Sequence, residues 1–254
     1  MQELRDLLVG NFMSKYPVSV KPDVSFENAV KFMAENKFST LIVMDEKQSM
    51  PLGVFTERGI LKHVSSEKNI RQKINQEFIQ PFTSVNPDTM ILDTAKMMIS
   101  TKSRILVFAE DKLLGIVTAS DMLRAFACLQ ETPDLGKVTS KTVFHCPFDT
   151  SILDVVKLLD EKNIGSIIVT QDSTYGIFTQ RDLVRILTSG EDLNNNVGLY
   201  SSFPLFTATR DILANEAAKI MSTRQIKRLG LTEDDSLIGI VTARDIVDAY
   251  QMYL

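Results

Sequence analysis

Apolar residues recur at helical spacing in three well-separated segments. Phe26, Ala29, Val30 and Met33 fall at i, i+3, i+4 and i+7, and Ile152, Val155, Val156 and Leu159 repeat the pattern, as do Ala214, Ala217, Ala218 and Met221. Each predicts an amphipathic helix with one buried stripe. A short extended stretch precedes each helix position: PVSV at 17–20, FTSV at 82–85, TVFH at 142–145 and PLFT at 204–207. Runs of branched apolar residues follow: TLIVM at 40–44, RILVF at 104–108, SIIVT at 166–170 and RLGLT at 228–232. Such runs suit strands buried on both faces. Polar turns come next, DEKQSMP, AEDK, QDST and EDDS, and then a last short strand runs into a threonine and a second helix.

The chain therefore reads as one β-α-β-β-α unit written four times. The motif that closes each unit is GVFTERGIL at 53–61, GIVTASDML at 115–123, GIFTQRDLV at 176–184 and GIVTARDIV at 239–247. Its threonines, Thr56, Thr118, Thr179 and Thr242, are spaced by 62, 61 and 63 residues, and Lys31, Lys96, Lys157 and Lys219 keep the same step. A fixed period of this kind means internal repetition. A lone unit of this size has a marginal core, so the units are expected to pack in pairs. The most polar connections are 128–141 and 188–198. They suggest repeats at 8–66, 76–128, 138–190 and 196–252, with copies one and two forming one pair and copies three and four the other.

Composition narrows the function. The 254 residues are 44% hydrophobic and 24% charged, which fits a folded globular protein. A net charge of −4 provides no broad basic field for nucleic acid or anionic membrane, so any anion site must be local. No apolar run is long enough for a membrane helix, and the start MQELRDLLVGNF is too short and too acidic for a signal peptide. Cys128 and Cys146 form neither a disulfide framework nor a CxxC metal motif, and a reducing cytoplasm is the expected setting. There is no GxSxG, no P-loop, no HExxH and no metal-ligand cluster, so a catalyst is not expected.

Two readings fit the repeated motif. In the first, Thr118-x-x-Asp121 is a capping box that closes the start of a helix, and Gly115, Gly176 and Gly239 end a hairpin turn. In the second, the same helix start is a ligand site. Its unpaired N–H groups and dipole favour phosphate, the threonine hydroxyl can donate, and the carboxylate can accept both hydroxyls of a ribose. The readings can hold together in one copy.

With this motif recurring behind the β-α-β pattern, the chain resembles four tandem cystathionine-β-synthase (CBS) domains over about residues 8–252. The layout is similar to that of the gamma subunits of AMP-activated protein kinase and of stand-alone archaeal CBS proteins. The resemblance implies an α/β fold of four β-α-β-β-α repeats in two pseudo-symmetric pairs (Bateman modules), with clefts for adenosine-containing ligands. It implies that the Thr-x-x-Asp pair contacts ribose and phosphate, and that a Ser or Thr on the first strand frames the adenine.

The copies match this pattern unequally. Thr118/Asp121, Thr179/Asp182 and Thr242/Asp245 keep the pair, whereas copy one has Thr56 but Gly59, which offers no acceptor. Before the middle strand, copy two offers Arg104 and copy four offers Lys227 and Arg228 as phosphate cations, while copies one and three have small polar residues. Arg181 and Arg244 lie inside the motif and either reach phosphate across a cleft or face water. Copy four is the most complete, with Thr207, Lys227, Arg228, Thr242 and Asp245. Copy two follows, with Ser84, Arg104, Thr118 and Asp121. His145 aligns with Thr207 in one register and is a weaker candidate at the adenine edge, as is Thr56 in copy one. His63 reads as surface or packing, and the helix-face methionines as core filler.

The expected function is a non-catalytic sensor that binds AMP, ADP or ATP as a regulatory ligand, with no catalytic cofactor and no metal. The alternatives are a scaffold whose motifs are only caps, and a sensor of S-adenosylmethionine or a dinucleotide. The expected partners are an adenosine-containing small molecule and a regulated protein, without nucleic acid or membrane, in a monomer or homodimer.

Overall fold

The structure is a computed structural model and describes residues 7–45, 50–68, 72–74, 79–101, 104–130, 132–135 and 142–252. A leading segment holds α1 (Val9–Phe12) and β1 (Ser14–Lys15). Copy one follows with β2 (Ser19–Val20), α2 (Phe26–Asn36), β3 (Thr40–Val43), β4 (Gly53–Thr56) and α3 (Glu57–Ser65). Copy two has β5 (Phe82–Val85), α4 (Ile91–Thr101), β6 (Arg104–Ala109), β7 (Lys112–Val117) and α5 (Ala119–Phe126). Copy three has β8 (His145–Pro147), α6 (Ile152–Glu161), β9 (Ser166–Gln171), β10 (Thr174–Thr179) and α7 (Gln180–Ser189). Copy four has β11 (Thr207–Thr209), α8 (Ala214–Arg224), β12 (Arg228–Glu233), β13 (Ser236–Thr242) and α9 (Ala243–Met252).

Local chemistry explains the boundaries. Ser25 and Ser151 cap α2 and α6, each oxygen accepting a backbone N–H three residues on, at 3.2 and 3.1 Å. Lys37 and Gln225 end α2 and α8 in the left-handed conformation. In every copy the first strand runs parallel to the middle strand, and the middle strand pairs antiparallel with the last. The helix between the first two strands is the crossover that a parallel pair requires. The middle strands are buried on both faces, as their continuous apolar runs predict: Leu41 and Val43 join the helix core, and Ile42 on the opposite face is equally buried.

The repeats pack as two compact units. One unit holds copies two and four with residues 7–17; the other holds copies one and three. In the first, α4 packs on α9 and α5 on α8; in the second, α2 packs on α7 and α3 on α6. The crossover helix of one copy thus meets the closing helix of its mate in both units. Small residues permit the approach: Ala214, Ala217 and Ala218 of α8 are fully buried in the core shared with Leu123, Ala125 and Phe126 of α5. This helix packing joins alternate copies within each unit. The apolar stripe of each helix is satisfied two copies away in the chain, a distance that spacing alone does not reveal.

The segments that precede the copies pair with strands of their own unit. The segment before copy one belongs to the sheet of copy two, where β1 pairs with β7, Ser14 opposite Ile116. The segment before copy two returns to copy one, where Gln80 bridges Val54, and Ser202 before copy four bridges Ile177 of copy three. The residues around Ser14 and Lys15, ahead of copy one, thus serve the sheet of copy two.

Candidate functional site

In each copy the last strand delivers a threonine to the start of the closing helix. Thr56 is a simple cap, its Oγ1 accepting from the Gly59 N–H at 3.1 Å. In copy two, Asp121 Oδ2 accepts from the Thr118 N–H at 2.6 Å and from its hydroxyl at 2.7 Å. In copy three, Asp182 Oδ2 accepts from the Thr179 N–H at 2.8 Å and its hydroxyl at 2.7 Å. In copy four, the Thr242 N–H donates to Asp245 Oδ2 at 2.6 Å, and the Asp245 N–H donates to Thr242 Oγ1 at 3.3 Å. The capping reading is therefore realised in these copies, and it leaves one carboxylate oxygen whose fate differs between them.

That difference is set three residues further along the helix. Arg124 forms an ion pair with Asp121 Oδ1, and the Ser14 hydroxyl donates to the same oxygen at 2.9 Å. Arg185 forms an ion pair with Asp182 Oδ1. In copy four the corresponding residue is Asp248. Among the described residues Asp245 has no ion pair, and only Thr242 hydrogen-bonds to its carboxylate. Burial pushes the Asp245 carboxyl above its ordinary pKa, hydrogen bonds from Thr242 pull it back, Asp248 adds repulsion and Arg244 offsets it. The sequence reading did not single out Arg124, Arg185, Asp248 or Ser14. The first three were readable from the i, i+3 helical offset; Ser14 was not, because it arrives from 107 residues away.

Sheet register gathers the other candidates. Arg228 stands directly opposite Thr242 in the antiparallel ladder. Cross-strand neighbours of this kind have Cβ atoms about 4.5–5.5 Å apart. Ser166 opposes Thr179 and Thr40 opposes Thr56 in the same way, so these two copies carry no cation at that place. Arg104 opens β6 and pairs with Phe82. On the first strands, Ser84 aligns with Leu106, His145 with Ile168 and Thr207 with Gly230. His145 and Thr207 are thus equivalent by register. Copy four is distinct again: Gly230 stands where the other copies carry Ile42, Leu106 and Ile168, and it leaves the sheet face beside Thr207 without a side chain. Lys227 lies immediately before β12, its carbonyl accepting from the Ala243 N–H at 2.9 Å.

Comparison with known proteins agrees with this repeat geometry. The family model described as CBS domain matches residues 9–66, 76–128, 135–189 and 199–251. The chain belongs to the CBS domain family. Among curated relatives, the uncharacterized protein MJ1404 of Methanocaldococcus jannaschii is 26% identical over 94% of this chain, and MK0525 of Methanopyrus kandleri is 33% identical over 44% of it. The alignments cover 61% and 60% of those two proteins, so the chain spans about three fifths of their length. Protein MJ1225 of M. jannaschii has a solved structure similar to this fold, with a TM-score of 0.81 and 18% identity over 95% of this chain and 99% of that one. A conserved protein of Pyrococcus horikoshii has a TM-score of 0.68 with 18% identity, over 96% of this chain and 100% of that one.

Other candidates have different places in the CBS repeats. Arg181 pairs with Glu57 at 3.5 Å, and Arg244 donates to the Ile99 carbonyl at 3.1 Å near the end of α4. Both arginines thus tie a closing helix to the other copy of their own unit. Arg58, at the matching motif position of copy one, donates to the carbonyls of Leu159 and Ile164 and pairs with Asp160. His63 is buried in tilted contact with Phe26, ring centroids 4.8 Å apart. Among the described residues no cluster of His, Cys, Asp or Glu could hold a metal.

The motif glycines do not end the hairpin turns. The turns lie at Glu110, Asp172 and Asp234–Asp235, which carry positive φ, and Gly115, Gly176 and Gly239 lie within the strands that follow. Gly115 and Gly176 admit the incoming segment instead. A Cβ at Gly115 would lie 2.7 Å from Met13 Sδ and 2.9 Å from the Ser14 carbonyl; at Gly176 it would lie 2.6 Å from the Phe203 ring.

Proposed function

We propose that this CBS protein is a non-catalytic sensor that binds an adenine nucleotide, AMP, ADP or ATP, with copy four as its principal site. The observation that carries the reading is the carboxylate of Asp245, which among the described residues pairs with no cation, three residues past Thr242 and beside a strand that begins with Arg228. A carboxylate can accept both hydroxyls of a ribose, the helix start offers N–H groups to phosphate, and Lys227 and Arg228 bring the only pair of adjacent cations at this position among the four copies. Gly230 leaves space beside Thr207 for a flat base. A ligand that prefers one packing of the repeats shifts the protein toward it, which is all that regulation requires. The four-repeat likeness to MJ1225, described as a proposed archaeal homolog of g-AMPK, supports the layout.

The scaffold reading keeps one specific support: in copies two and three the motif aspartate is bonded through both carboxylate oxygens within the protein. Calorimetric titration with AMP, ADP and ATP separates the two. Asp245→Ala should weaken the tightest site about ten- to a hundredfold, since a hydrogen bond to a charged group contributes roughly 1.5–3 kcal/mol, while Thr56→Ala leaves it unchanged. Parent-like binding by Asp245→Ala would remove copy four as the site, and no heat with any of the three nucleotides would favour the scaffold.

A further inference from the structure

The three motif aspartates share one backbone setting, and they differ in what holds the second oxygen. In copy two, Asp121 is fully buried and accepts from the Thr118 N–H, the Thr118 hydroxyl, the Ser14 hydroxyl and Arg124. Two carboxylate oxygens offer about four acceptor directions, so this group has none left for a ligand. In copy three, Asp182 accepts from Thr179 twice and from Arg185, and it is 5% exposed. Copy four carries Asp248 in the place of the arginine, and Asp245 is partly exposed with no cation paired to it.

We propose that the residue three positions beyond the motif aspartate decides which copies admit a ribose: Arg124 and Arg185 latch copies two and three, and Asp248 holds copy four open. This rests on the reading of the motif carboxylate as a ribose acceptor. To enter a latched copy, a sugar diol must break the ion pair between the aspartate and its arginine. The bonds from the diol to the carboxylate leave the guanidinium without its counter-charge, and a nucleoside offers it no replacement, so the exchange is unfavourable for a nucleoside. The side chains of Arg124 and Arg185 are 48% and 60% exposed, so each can swing into water without moving the helix. The latch is therefore local and reversible. A ligand that carries a phosphate gives the displaced guanidinium a new partner, so latched copies discriminate in favour of nucleotides over nucleosides. Copy two carries a second lock. Ser14 belongs to the leading segment, which is held by the pairing of β1 with β7 and by Arg124, whose guanidinium also donates to the Phe12 carbonyl at 2.9 Å.

The test uses adenosine, which has the diol and no phosphate, and the whole chain. Calorimetric stoichiometry should give one adenosine site in the parent. Asp248→Arg should reduce adenosine affinity at copy four by about tenfold or more, with Asp248→Lys as a second cation and melting curves to show that both variants fold. Arg185→Ala should add a second adenosine site, a gain that misfolding cannot produce. Arg124→Ala alone should add none, and Arg124→Ala with Ser14→Ala should add one. If Asp245→Ala abolishes adenosine binding while Asp248→Arg binds like the parent and Arg185→Ala adds no site, the latch is wrong and the ribose reading stands. If Asp245→Ala leaves adenosine binding intact, the ribose reading itself fails.

Discussion

Tyr250 of α9 stacks on Phe126 of α5, with ring centroids 4.2 Å apart and planes 20° from parallel. Both rings are fully buried, and they join the closing helices of copies two and four at the centre of one core. Aromatic pairs of this kind stabilise beyond their buried area. Tyr250→Ala should therefore cost about 3–5 kcal/mol, the range for truncating a large buried aromatic. Urea unfolding followed by circular dichroism gives the value. A loss under about 1 kcal/mol would mean that the two helices do not depend on this contact.

Arg58 performs the equivalent joining task for copies one and three by polar means. Its guanidinium reaches the Leu159 and Ile164 carbonyls, Asp160 and Asn163, at 2.8–3.4 Å. Arg58→Ala leaves the end of α6 with unpaired carbonyls and should cost about 1–3 kcal/mol. Adenine-nucleotide affinity at copy four should not change, because Arg58 belongs to the other unit. Melting curves and titration on one preparation check both halves of this expectation.

The motif aspartates should respond to amidation with opposite signs. Asp245 is pushed up by burial, so the folded protein holds that proton more tightly than the unfolded chain. Its contribution to stability is then present at low pH and is lost as pH rises through the folded-state value. At pH 7 the ionised carboxylate is a burden on the fold, and Asp245→Asn should raise the melting temperature by about 1–2 °C, an advantage that disappears below about pH 4. Asp121→Asn and Asp182→Asn instead strand Arg124 and Arg185 and should each lower stability by about 1–3 kcal/mol. Melting the three variants between pH 4 and 8 compares them directly. A destabilised Asp245→Asn at pH 7 would contradict the open state of copy four.

The repeat, the order of its elements and the threonine at each helix start were legible in the sequence because they are local. Apolar spacing marked α2, α6 and α8, and the branched runs marked the middle strands at their observed first residues, Thr40, Arg104, Ser166 and Arg228. Copy four also stood apart in the sequence through Lys227, Arg228 and Asp245. Partner choice was not legible. An apolar stripe such as Ala214–Met221 states that a helix is covered, and says nothing about whether α5 or another helix covers it. The engagement of Asp121 was legible only in part: Thr118 and Arg124 lie three residues away on either side, whereas Ser14 arrives from across the chain. Arg181 and Arg244 show the limit from the other side, since the motif alone does not reveal that each bonds to the other copy of its unit.

The motif glycine provides the last expectation. Gly176 lies in β10 where Phe203 of the returning segment crosses the strand, and a methyl group there would come within 2.6 Å of three ring atoms. The ring cannot simply withdraw, because it rests against Phe148 at 6.2 Å between centroids, and the Ser202 and Ile177 backbones exchange N–H and C=O bonds at 2.9 Å on either side. Gly176→Ala should accordingly cost about 1–3 kcal/mol by overpacking. Phe203→Ala should also destabilise, by loss of apolar contact and the cavity it leaves. Once the ring is gone the added methyl has room, so the double variant should be less destabilised than the sum of the two, by about 1 kcal/mol or more. Strict additivity in a urea double-mutant cycle would show that the glycine is required for some property of the strand itself and not for the passage of Phe203.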